Sequence, residues 1–161
     1  MSKILLINGP NLNLLGTREP EIYGDTSLNE VEEKLKASAE DAGHEFNCFQ
    51  SNAEHEIINT IQQAKQDNID VIIINPGPFT HTSIALRDTF LSTKIPFIEI
   101  HISNIFEREE FRKNSFLSDI SIGCIIGCGV GGYGLAMRRA KNFLRDKSVS
   151  YTHLTLPTTK Q

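Results

Sequence analysis

Short apolar runs alternate along the chain with longer segments in which apolar residues recur every three or four positions. That is the pattern of buried strands joined by crossover helices. Five runs read as strands: Lys3–Asn8, His44–Gln50, Val71–Asn75, Phe97–Ile100 and Ile120–Ile126. Each is mostly apolar, as a strand covered on both faces must be. Ser27 and Glu30 form a capping box ahead of a stripe of Leu28, Val31, Leu35, Ala39 and Ala42, which Gly43 ends. Ile57, Ile58, Ile61 and Ala64 make a second stripe. Thr82 or Ser83 can cap a third helix through Leu91, and Tyr133, Met137, Ala140 and Leu144 stripe the last one after a turn at Gly129–Gly132.

With right-handed crossovers this order predicts an α/β fold, an open doubly wound five-stranded parallel sheet of flavodoxin-like strand order 2-1-3-4-5. Ligands of such sheets bind outside the carboxyl ends of the strands. Three of the loops there are chemically unusual. Asn8 to Gly24 is long enough to be functional, with Gly9, Gly16 and Gly24 read as hinges of a lid. Asn75 to Ser83 follows the third strand, with Arg87 and Asp88 one turn later. Glu99 to Asn104 closes the fourth, followed by Arg108 and Arg112.

Composition narrows the function classes. A length of 161 residues predicts one domain. Sixteen Lys and Arg against twenty Asp and Glu give a net charge of −4, so no positive field draws the chain to nucleic acid. Cys48, Cys124 and Cys128 are odd in number, lack a Cys-x-x-Cys pair and sit beside apolar residues, which predicts reduced, structural thiols. The run Ile4 to Ile7 is too short for a signal-peptide core or a membrane span, so a cytoplasmic protein is expected. After the helical Lys141–Lys147 the character changes abruptly, and Val149 to Leu154 resembles the translation of a sequencing-library adaptor. The expected organisation is therefore one flavodoxin-like domain over residues 1–148 and a non-native tail over residues 149–161.

Other members of this fold class need residues that are missing. The chain has no Ser/Thr-Gly phosphate loop after the first strand, no acidic cluster there and no Gly-x-Gly-x-x-Gly. The glycines of Gly127–Gly132 come late and read as a turn into a helix. His81 and His101 are far apart, with no His-x-x-x-His pair, so no metal is expected. A flavin or nucleotide module and a noncatalytic interaction domain remain as competing readings. An inventory of Asn, Arg, Tyr and His fits acid–base chemistry on a small oxygenated acid.

The sequence resembles the type II 3-dehydroquinate dehydratases from about Lys3 to Leu144, through four motifs in order. These are Asn8-Gly-Pro-Asn-Leu with Gly16-x-Arg18-Glu19-Pro20-x-x-Tyr23-Gly24; Asn75-Pro-Gly with Thr80-His-Thr-Ser-x-Ala-Leu-Arg-Asp88; Glu99-x-His101-Ile-Ser-Asn104; and Arg108-Glu-Glu-Phe-Arg112. Pro78 and Phe79 depart from the small residue and Tyr more usual in the family, and Cys128 from a usual Leu. The resemblance implies conversion of 3-dehydroquinate to 3-dehydroshikimate in the shikimate pathway. It also implies no cofactor and a homododecamer built from trimers.

It also implies roles. Tyr23 would be the base and Arg18 its activator, because a phenol with a pKa near ~10 needs a nearby cation to ionise at neutral pH. Asn11 would stabilise the enolate. His101 would protonate the leaving hydroxyl, oriented or charged by Glu99. The backbone N–H groups of Ile102 and Ser103, with the Ser103 hydroxyl, suit a carboxylate; Asn75, His81 and Arg112 suit ring hydroxyls. Asp88 is similar to a family residue that reaches a neighbouring subunit. Taken without the motifs, the same residues also read as a loop anchor (Tyr23), a strand-borne ion pair (Glu99 and His101), a turn residue (Asn75), a helix cap (His81) and surface charges (Arg18, Arg87, Asp88, Arg112).

Overall fold

The computed structural model describes residues 1–17, 21 and 24–155. Its elements run β1 (Lys3–Asn8), α1 (Leu28–Asp41), β2 (Glu45–Gln50), α2 (Glu54–Gln66), β3 (Val71–Asn75), α3 (Ile84–Thr93), β4 (Phe97–His101), β5 (Gly123–Ile126) and α4 (Gly132–Thr155). All strand pairs are parallel and the sheet order is β2-β1-β3-β4-β5, as expected.

Strand alternation divides the core into two layers. Ile4, Leu6, Val71, Ile73, Ile98 and Ile100 face α1 and α4, while Leu5, Ile7, Ile72, Ile74 and Phe97 face α2 and α3. Ser27 caps α1 by accepting from the Glu30 N–H at 3.2 Å, and Ser83, rather than Thr82, caps α3 by accepting from the Leu86 N–H at 2.9 Å. Ala42 lies outside its expected stripe: it is the exposed C-cap of α1. His44 stays out of β2 because its N–H turns back to Ala39 O at 3.0 Å. No helix among the described residues is long and apolar enough to cross a membrane.

Two expectations need correction. The fifth strand begins at Gly123, not Ile120, and Ser118–Ile120 is a 3-10 turn. The Ser115 hydroxyl accepts from the Leu117 and Ser118 N–H groups at 3.0 and 3.1 Å and so winds this segment instead of extending it. The cysteines are free, but all three are exposed on the single chain rather than packed as small hydrophobes. Cys48 and Cys124 lie on the two edge strands and Cys128 in the turn before α4. Burial of its sulfur and the neighbouring Glu32 still push the Cys48 thiol up to about 11, which keeps it protonated.

Candidate active site

The carboxyl ends of β1, β3 and β4 lie side by side, with Asn8 level with Asn75 and Ile74 level with Glu99. The connection between the first two ends is tight. The Gly9 N–H donates to Asn75 O at 2.8 Å, and a Cβ on Gly9 would stand 2.6 Å from Pro76 O. Gly9 is therefore a packing glycine rather than a hinge. The loop that follows is not structureless, since Leu12–Leu14 form a 3-10 turn. Asn11 opens that turn at φ 70°, its N–H donated to Asn52 Oδ1 at 3.0 Å, which leaves its side chain on the surface of the cleft.

One cleft collects the expected residues. Asn11, Asn75, His81, His101, Ser103 and Arg112 all line it, together with Ile102. Two are not there. Glu99 lies beneath the cleft with no exposure, and Asp88 sits exposed on α3, outside the cleft of its own chain. Arg87 does not pair with Asp88; its guanidinium forks onto Asp119 at 2.5 and 3.0 Å. Arg18 and Tyr23 lie outside the described residues.

Glu99 interrupts the apolar run of β4, and a carboxylate sealed there needs donors. It has them. Oε2 accepts from His101 Nε2 and Thr80 Oγ1, each at 2.6 Å, and from Ser115 Oγ at 3.0 Å; Oε1 accepts from Ser118 Oγ at 2.5 Å. Burial pushes the carboxyl up, but His101 and the hydroxyls of Ser118 and Thr80 outweigh it and hold Glu99 at about 2. An ionised Glu99 can only accept, so His101 donates through Nε2. Its Nδ1 has no partner among the described residues and is the atom left to exchange a proton with a ligand.

The other donors are set with similar economy. His81 donates Nδ1–H to Asn114 O at 2.7 Å, its ring lies 6.3 Å from that of His101, and burial lowers its pKa, so neutral His81 offers Nε2 as an acceptor. The N–H groups of Ile102 and Ser103 donate to no partner among the described residues, and both residues line the cleft. Arg112 is held by Glu109, 2.9 Å from its Nε, and Arg108 lines the same cleft, so its rim carries two cations. Asn75 donates to the Tyr133 hydroxyl at 2.9 Å and accepts from the Gly77 N–H at 3.2 Å, which leaves one proton and one lone pair for a ligand.

Sequence reasoning gave no role to Thr80, Ser115, Ser118, Arg108, Asn8 or Tyr133. For the hydroxyls the signal was present: a Glu inside Phe97-Ile98-Glu99-Ile100 needs donors to meet it, and Ser115 and Ser118 lie in the loop ahead of the next strand. Tyr133 read only as part of an apolar stripe, and nothing local distinguishes it from one.

Residues 2–141 match the family described as dehydroquinase class II. A 3-dehydroquinate dehydratase of Methylococcus capsulatus is 57% identical over 140 residues, covering 87% of this chain and 95% of that one. One of Thioalkalivibrio sulfidiphilus is 55% identical over 140 residues, with the same coverage of 87% and 95%. Among solved structures, the type II dehydroquinase of Butyrivibrio crossotus superposes with a TM-score of 0.83 at 44% identity, covering 88% of this chain and 97% of that one. That of Propionibacterium acnes gives 0.82 at 38% identity, again covering 88% and 97%. Family match, strand order and the polar cleft at the strand ends agree, and the chain belongs to the class II dehydroquinases.

Proposed function

We propose that this chain is a hydro-lyase that removes water from 3-dehydroquinate to give 3-dehydroshikimate, in the shikimate pathway, through an enolate and without a cofactor. The observation that carries the reading is the Glu99–His101 pair: a fully buried carboxylate 2.6 Å from a cleft-lining imidazole, beside two backbone N–H groups that can receive a carboxylate. Elimination β to a ketone needs a base, an enolate stabiliser and an acid. Tyr23 takes the α-proton with Arg18 lowering its pKa, and Asn11 stabilises the enolate oxygen. The C–O bond then breaks as His101 Nδ1 gives its proton to the departing hydroxyl, and Glu99 steadies the imidazole. Ile102 and Ser103 hold the substrate carboxylate; Asn75, His81 and Arg112 hold the ring hydroxyls.

The same reading includes a cytoplasmic homododecamer, a tetramer of trimers, in which Asp88 reaches a neighbouring subunit's cleft. Its exposure on α3, away from its own cleft, supports that part. The direct test is to mix the purified protein with 3-dehydroquinate and follow the ultraviolet absorbance of the conjugated product. Its appearance supports the proposal, and no product ends it.

A further inference from the structure

Behind the cleft, three buried uncharged side chains form a single hydrogen-bonded chain. The Tyr133 hydroxyl donates to Asn8 Oδ1 at 2.6 Å and accepts from Asn75 Nδ2 at 2.9 Å. Asn8 and Asn75 are register partners at the ends of β1 and β3, and Tyr133 reaches them from the first turn of α4. Asn8 is 0% exposed and Tyr133 is 1% exposed.

Two directions are open to such a chain, because both amides can turn over and the hydroxyl proton can follow. One group in contact with it cannot turn. The Gly77 backbone N–H donates to Asn75 Oδ1 at 3.2 Å, so a reversed Asn75 would set two donors against each other. Gly77 itself is held at φ +56° against Pro10. With Asn75 Nδ2 thus aimed at Tyr133, the hydroxyl must give its proton to Asn8. Asn8 Nδ2 is then left buried with no hydrogen-bond partner, the one such side-chain atom among the described residues. Leaving a buried donor unmet is unfavourable, so its presence marks how strongly the Asn75 end of the chain is set.

We infer that Tyr133 is a positioning residue of this site: the Gly77 N–H sets the orientation of the Asn75 amide and the Tyr133 hydroxyl holds the amide there, so that a ligand hydroxyl meets a preset donor and acceptor. The inference rests on the reading that Asn75 binds the ring hydroxyls of the substrate.

The test compares Tyr133→Phe, Asn75→Ala and the double variant, by steady-state kinetics with 3-dehydroquinate. Tyr133→Phe keeps the packed ring and is expected to raise KM about ten-fold with kcat within about two-fold, the signature of lost uniform binding. The double variant is expected to be no worse than Asn75→Ala. An unchanged KM in Tyr133→Phe, or losses that multiply in the double variant, would overturn the inference. A second measurement needs neither turnover nor a variant that folds. In the wild-type protein the Asn75 side-chain N–H bonded to Tyr133 is expected to exchange slowly with solvent by NMR, and exchange at the rate of a free amide would overturn the inference. Wild-type protein that makes no product would defeat the proposed reaction, and the exchange measurement would still decide the role of Tyr133.

Discussion

His101 Nε2 lies 2.6 Å from Glu99 Oε2, two residues apart on one face of β4, with the imidazole lining the cleft and the carboxylate sealed beneath it. A proton taken up on Nδ1 makes an imidazolium directly above a fixed negative charge, so the acid is charged without losing its orientation. Glu99→Gln keeps the shape and removes the charge. It is expected to lower kcat about 10²-fold while changing KM less than about three-fold, a loss in the range of general acid–base catalysis. Steady-state kinetics check this, and an unchanged kcat would show that the charge is idle.

The same carboxylate predicts an acid limit to stability. Its pKa is about 2 in the fold against an ordinary 4.5, so the folded chain binds this proton less readily than the unfolded chain. The stabilisation is therefore complete above about 4.5 and is lost as pH falls from there toward about 2. Urea midpoints of the wild type should fall more steeply through that window than those of Glu99→Gln. Parallel curves would contradict the assignment.

Gly9→Ala should damage both fold and site. Its Cβ would stand 2.6 Å from Pro76 O, 2.9 Å from Pro76 C and 3.3 Å from Asn75 O, and all three atoms are backbone, so β1 and β3 must part at their carboxyl ends. The expected loss is about 1–3 kcal/mol of stability by denaturant melt, with a fall in turnover.

Catalysis is expected to proceed without an imine, because no lysine lines the cleft among the described residues. Borohydride added with substrate should leave activity intact. Inactivation with a mass adduct on a lysine would replace the enolate with a Schiff base.

Cutting the chain after Ser148 tests the proposed boundary at that residue. Among the residues whose burial is described, Leu144 is the last of the buried cluster on the α4 face. The shortened chain should keep its turnover, the proposed large assembly in light scattering and a melting temperature within about 2 °C. Loss of any of these would make the tail part of the structure.

Much of this architecture was legible because hydrophobic period and capping residues act locally. Ser27, Ser83 and the first and third strands stand where the pattern placed them, and the strand order follows from the crossover rule. The misjudged places are those where a distant group decides. Ile120 looks like strand, but Ser115 and Ser118 are recruited by Glu99 and wind that segment into a turn. Tyr133 has the spacing of a core residue, and only the fold brings its hydroxyl between two asparagines 125 and 58 positions away. Gly9 reads as a hinge in sequence and is locked by Pro76 in space.

The proposed reaction has a fixed order, in which Tyr23 removes the α-proton before His101 releases water. Incubating Tyr23→Phe and His101→Ala with 3-dehydroquinate in deuterated water, and following the substrate α-proton by NMR, tests it most directly. No exchange and no product are expected with Tyr23→Phe, and exchange without product is expected with His101→Ala. Substantial α-proton exchange in Tyr23→Phe would contradict that order and assign the base to another residue.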